Sequence, residues 1–227
     1  IIGVIGPNGA GKTTVFNLLT KVYQPTEGTI MLNGKDTSGK TTAQVNQMGI
    51  ARTFQNIRLF NNMSVIRNVL VALHNQPEFK YSPFDGMLHT PKYFDVEIRM
   101  RDKAKELLDV FGLLDERNNL ACNLSYGTQR KLEIARALAT NPKLLLLDEP
   151  AAGMSDSETA KTGDLLIELG KARGVIVIEH DMHFVEQIAQ EKVSVLVRGE
   201  ILKEGPFQEI KSDPDVIACF RVRYLSS

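Results

Sequence analysis

The sequence predicts a mostly parallel α/β sheet covered by helices, with a helical segment inserted into it. Three observations carry this. Short β-branched or leucine-rich runs (residues 1–5, 144–147, 175–178 and 193–197) alternate with helical stretches, a pattern that builds parallel sheets covered on both faces. The piece from 62 to 128 carries helical signals and no good strand. The 227 residues exceed the ~150 of a common domain, which suits one large α/β domain with an insertion.

Ile1-Ile2-Gly3-Val4-Ile5 is a buried opening strand, β-branched and bounded by glycine. A helix is expected over 12–21 and a short strand over 29–32, closed by the turn pair Asn33-Gly34. Another helix runs over 64–74 with Ser64 as its N-cap. Pro77, Pro83 and Pro91 make 75–95 an irregular surface connection, followed by a helix over 97–111 stopped at Gly112. A second α/β passage then begins, with a helix from about 125 to 139, a strand at 144–147 and a helix over 156–173. A strand at 175–178, a helix over 182–190 and a hairpin of 193–197 with 200–203 complete it. Asp213-Pro214 opens a last helix, a capping residue followed by proline at the first helical position. The expected layout is a single domain whose core is 1–61 with 129–211. Residues 62–128 form a helical subdomain and 212–227 a C-terminal helix.

The 27 Lys and Arg balance 27 Asp and Glu, which argues against non-specific nucleic-acid binding. Cys122 and Cys219 stand too far apart for a disulfide framework or metal cluster and are expected to be buried or half-buried. No apolar run approaches the ~20 residues of a membrane-spanning helix. His74, His89 and His183 show no metal-like spacing, and Arg99, Arg101, Lys103 and Lys105 read as a solvated helix face.

Chemistry concentrates first in Gly6-Pro7-Asn8-Gly9-Ala10-Gly11-Lys12-Thr13-Thr14, which follows a strand and opens a helix. Its glycines let backbone N–H groups, among them those of Asn8, Gly9, Ala10, Gly11 and Thr14, turn inward as an anion nest. Lys12 then reaches the β- and γ-phosphates of a nucleotide, and the Thr13 hydroxyl takes a place on Mg²⁺. Second is Leu144-Leu145-Leu146-Leu147-Asp148-Glu149-Pro150, a buried strand with carboxylates at its C-terminal end, where open α/β sheets bind ligands. Asp148 suits the Mg²⁺ shell and Glu149 the activation of a water. Together the two motifs resemble those of P-loop NTPases, a resemblance that implies a RecA-like core.

Three further stretches narrow the class. Leu124-Ser125-Tyr126-Gly127-Thr128-Gln129-Arg130, Gln55 in Ala51-Arg52-Thr53-Phe54-Gln55, and His180 in Ile178-Glu179-His180-Asp181 follow one another in order. With the first two motifs they resemble the ATP-binding cassette (ABC) ATPases from end to end. That resemblance implies catalytic roles for Gln55 and His180 and a place for Gln55 on Mg²⁺. It also implies that Ser125 and Gly127 bind the γ-phosphate of ATP held by the P-loop of a second cassette.

Residues 51–60, 124–136 and 148–154 are similar to the ATPase subunits of branched-chain amino acid importers, as are 84–91 and 213–217. The resemblance implies two transmembrane permease subunits, a second cassette (the same chain or a paralogue) and, indirectly, a substrate-binding protein. It implies a peripheral place on the cytoplasmic face of the membrane and no nucleic-acid partner. ATPases of urea and short-chain amide importers share the 151–154 stretch and are the alternative. A non-transport ABC ATPase of DNA repair or translation is further off, because only about 70 residues without a heptad run separate Gln55 from Leu124.

The chain departs from the family at Thr128, where glutamine is usual, and at Ser155, where Asp or Asn is usual. Lys21 replaces a glycine, which costs about 1 kcal/mol if that position needs positive φ. Family members also place an antiparallel β-subdomain and an adenine-stacking aromatic before the P-loop strand. Neither precedes Ile1, and the chain reads as truncated at its start.

Overall fold

Ile2–Ile5 (β1) sits inside a six-stranded sheet in the computed structural model, which describes residues 1–221. After β1 come α1 (Lys12–Leu19), β2 (Met31–Leu32), β3 (Lys35–Asp36), α2 (Thr42–Gln47) and β4 (Ile50–Arg52). Helices α3 (Val65–Leu73), α4 (Pro83–Leu88), α5 (Pro91–Val110) and α6 (Tyr126–Leu138) follow without a strand among them. The remainder is β5 (Leu144–Asp148), α7 (Asp156–Ala172), β6 (Gly174–Ile178), α8 (Met182–Ile188), β7 (Val193–Val197), β8 (Glu200–Gly205), α9 (Phe207–Ser212) and α10 (Pro214–Arg221). By contact the chain divides into two units, one of Ile1–Gln55 with the chain from Lys143 on, the other Asn56–Pro142. The second unit extends beyond the expected 62–128 on both sides and takes in α6.

The first unit is the α/β core. Its sheet order is β4-β5-β6-β1-β7-β8, parallel throughout except for β8, which returns antiparallel beside β7. Four consecutive leucines suit β5 because it lies between β4 and β6 in a sheet that buries Leu145, Leu146 and Leu147 completely. Phe16 from α1 reaches across to Val45, Ile50, Leu146 and Ile178, so the helix after the first loop is fixed by its apolar face. Asn33 and Gly34 both take positive φ, as a two-residue hairpin between β2 and β3 requires. Lys21 does occupy the left-handed region, at φ 57, and its Nζ is buried with no hydrogen-bond partner among the described residues.

The second unit packs α3, α5 and α6. On α5 the buried residues Val96, Met100, Ala104 and Leu108 recur every four positions and form one stripe. Arg99, Lys103 and Lys105 pair with Asp95, Glu106 and Asp102 on the exposed side, as expected of a solvated face.

Several local expectations need correction. The 75–95 connection is largely helical, with a 3-10 turn at Pro77–Phe79, then α4, then the start of α5 at Pro91. Each proline there stands in the first turn of its element, where a missing N–H costs nothing. Ser64 is the N-cap of α3, but its hydroxyl makes no capping bond. The structure adds α2, β3, β4 and α9, and Cys122 is exposed rather than buried or half-buried. Of the helix expected over 212–227, α10 covers Pro214–Arg221, and residues 222–227 lie outside the described residues. No described helix is long and apolar enough to cross a membrane.

Candidate functional site

Four neighbouring strands end on the same edge of the sheet, and each delivers one part of the site. β1 runs into the Gly6–Thr14 loop, β4 into Thr53 and Gln55, β5 into Asp148 and Glu149, and β6 into Glu179 and His180. This is the carboxyl edge of a parallel sheet, where ligands bind in open α/β folds.

The loop after β1 is shaped by its glycines. Gly6 has φ 153, and a Cβ there would come within 2.1 Å of the Leu196 carbonyl oxygen, so no other residue fits. Gly11, at φ 98, is the N-cap of α1 and makes no side-chain capping bond to the first N–H groups of the helix, which point out of its N-terminus toward the loop. Lys12 curls back over this cradle and donates from Nζ to the carbonyl oxygens of Gly6 (2.7 Å) and Pro7 (3.1 Å). Asn8, Gly9, Thr13 and Thr14 are exposed around the cradle and Ala10 is buried beneath it. Backbone donors, a helix N-terminus and an ammonium converging on one concavity make a phosphate site.

Asp148 is buried, and its Oδ2 accepts a hydrogen bond from the Arg52 guanidinium at 3.1 Å. Arg52 itself donates to Asn17 on α1 and lies 5.4 Å from the Phe16 ring centroid and 5.0 Å from that of Phe54. The Asp148 N–H donates to the Thr53 hydroxyl, tying β5 to the end of β4. Gln55, three residues beyond Arg52, is exposed.

Glu149 sits in the left-handed region at φ 51, unusual for a residue with a side chain and a sign of local strain. Its carboxylate lies 3.7 Å from Nδ1 of the largely exposed His180. Glu179 is buried behind them. Burial pushes its carboxyl above the ordinary range, opposed by the N–H groups of Ala151 and His180 that it accepts and by the His180 charge.

In the second unit, Ser125 caps α6 by accepting the Thr128 N–H, and its hydroxyl lies 2.7 Å from that of Thr128. Gly127 is buried one residue into the helix. Ser155 similarly caps α7 in a reciprocal pair with Glu158, so the departures at both positions are built into helix caps.

A divalent cation would find oxygen donors here in the Thr13 hydroxyl and the Asp148 carboxylate. No group of three or more His, Cys, Asp or Glu side chains suited to a metal exists among the described residues. One or two protein oxygens, with phosphates and water completing the shell, are the usual holding of Mg²⁺, so the residues fit that ion.

Sequence reasoning missed Arg52, Asn17 and Glu179 as parts of this site. Arg52 and Asp148 stand 96 positions apart and no local pattern joins them. For Glu179 the only signal was a carboxylate directly before His180 at a strand end.

A parallel sheet carrying a phosphate cradle on β1 and an Asp-Glu pair at the end of β5 defines a P-loop nucleotide hydrolase. The chain belongs to the ABC transporter family, which matches residues 1–152, and is an ATPase of that type. It is 45% identical to the high-affinity branched-chain amino acid transport ATP-binding protein LivG of Escherichia coli (strain K12), over 97% of this chain and 86% of that protein. Its fold is similar to a nucleotide-free ATP-binding cassette from an ABC transporter, with TM-score 0.81 and 31% identity over 97% and 87% of the two chains. A dimeric cassette in a post-hydrolysis state, bound to ADP and phosphate, is similar at TM-score 0.76 and 25% identity, over 91% and 85%.

Proposed function

We propose that this chain powers an importer of branched-chain amino acids, bound to the cytoplasmic face of two permease subunits and working as a pair of cassettes. The observation that carries the substrate class is the 45% identity to the E. coli relative along nearly the whole chain. The similarity to a dimeric cassette supports the pairing, and in such a pair Ser125 and Gly127, at the N-terminus of α6, are the groups one cassette would offer to ATP on the other.

The residues act as follows. The Gly6–Thr14 backbone and Lys12 bind the phosphates, Lys12 exchanging two carbonyl oxygens for phosphate oxygens. Thr13, Asp148 and Gln55 would hold Mg²⁺, which when bound neutralises charge on the phosphates. Glu149 orients and deprotonates the attacking water, with His180 beside its carboxylate. The water oxygen joins the γ-phosphorus as the bond to ADP breaks, and release of the products reopens the pair.

Lys12→Ala is expected to lower ATP affinity by more than about tenfold in calorimetry, since it removes a charge partner of a multiply charged ligand. Unchanged affinity would remove Lys12 from the site. The substrate class is tested in proteoliposomes holding the chain with its permease subunits and binding protein. Leucine, isoleucine or valine should stimulate ATP hydrolysis. Stimulation by urea or short-chain amides instead moves the assignment to that group, and stimulation by neither overturns the importer reading.

A further inference from the structure

Glu179 has no part in the scheme above, yet its position ties together the two residues that flank the reacting water. Its side chain is 2% exposed. Oε1 accepts the Ala151 N–H at 3.2 Å, from the turn that follows Glu149. Oε2 accepts the His180 N–H at 3.1 Å and lies 3.9 Å from His180 Nδ1. One buried carboxylate thus joins the end of β5 to the end of β6, two strand ends that carry different catalytic groups.

The turn it holds is one that needs holding. Glu149 adopts φ 51, and a non-glycine residue stays in the left-handed region only where its surroundings over-determine it. Three hydrogen bonds do so here. The Glu149 N–H donates to the Ile178 carbonyl (2.9 Å), the Ala152 N–H donates to the Glu149 carbonyl (3.2 Å), and the Ala151 N–H donates to Glu179. The first two are main-chain bonds that many sequences would make. The third depends on the residue at 179. A carboxylate suits the task because it is acceptor-only and meets two N–H groups at once, whereas a glutamine offers one acceptor oxygen. Packing alone does not explain it, since burying a carboxylate is costly.

We infer that Glu179 is a positioning residue for hydrolysis: it clamps the strained Glu149 turn to the base of His180 and so fixes the Glu149 carboxylate against the water. The inference rests on Glu149 being the general base.

The test compares steady-state ATP hydrolysis by the whole chain and its E179A, E179Q and E149Q variants, with ATP affinity measured separately. E179A should lower kcat about 10- to 100-fold with KM for ATP within about twofold, the signature of misplaced chemistry with binding intact. E179Q, which keeps one acceptor, should recover only part of this loss, to a kcat about three- to tenfold below the parent. A normal kcat in E179A, a parallel loss of ATP affinity, or E179Q no better than E179A would overturn the clamp. If E179A does not fold, E179Q decides alone: a reduced kcat at unchanged KM sustains the inference and a parent-like kcat overturns it. Normal hydrolysis by E149Q would instead overturn the general-base assignment itself, whatever the Glu179 variants do.

Discussion

Glu149→Gln should lower the rate of ATP hydrolysis by about 10²–10⁴ while ATP binding persists, because general-base and water-positioning steps contribute that much. The substitution keeps the size and polarity of the side chain, and the φ 51 backbone that places it is held by neighbours that remain. What is lost is the carboxylate proposed to take the proton, 3.7 Å from His180. Binding without hydrolysis should then trap the paired state, since each ATP would be gripped by one P-loop and the facing Ser125 cap. Light scattering on the Glu149→Gln protein should show a dimer with ATP and a monomer with ADP or no nucleotide. A normal rate would exclude Glu149 as the base. A monomer with ATP bound would exclude the trans role of Ser125 and Gly127.

Arg130→Ala should destabilise the helical unit by about 3–5 kcal/mol, the usual penalty for leaving one member of a buried ion pair behind. Arg130 and Glu133 face each other at 2.9 Å one turn apart on α6, with side chains 1% and 2% exposed. Glu133 also accepts the Arg58 N–H, and Arg130 donates to the Tyr126 hydroxyl and lies 5.5 Å from that ring's centroid. Removing the guanidinium takes from the buried Glu133 carboxylate its close ion-pair partner, with the Arg58 N–H and the charge of Arg136 still near it. Replacing both partners, by Arg130→Met with Glu133→Leu, should recover much of the loss because no uncompensated charge then remains. Urea unfolding followed by circular dichroism checks both. A loss below about 1 kcal/mol in Arg130→Ala would mean that water or another cation reaches Glu133.

What lay open in the sequence were features whose physics is local. Gly6, Gly9 and Gly11 mark a loop because all three take positive φ, which favours glycine, and at Gly6 a Cβ would also meet the Leu196 carbonyl; Lys12 and Thr13 follow at fixed offsets. The four leucines before Asp148 announce a strand buried on both faces, and Ser125 announces a helix start. The family could be read from five such stretches in order. Misreadings arose where one residue type serves two local purposes: Pro83 and Pro91 break a helix in its interior but begin one in its first turn. Short elements such as β4 and α2 gave no periodic signal at three and six residues.

The tertiary structure alone decided which distant residues share the site. Strand order sets β5 and β6 side by side and β4 against β5. Arg52 thereby meets Asp148 across 96 positions, and Glu179 meets Ala151 across 28. These are charge and hydrogen-bond contacts between separate strand ends, and no spacing along the chain encodes them. The same holds for Glu149, whose left-handed backbone is imposed by hydrogen bonds from β6 and the following turn rather than by any preference of glutamate. The residue types fixed what chemistry was available; the order of the parallel strands fixed which groups stand close enough to carry it out.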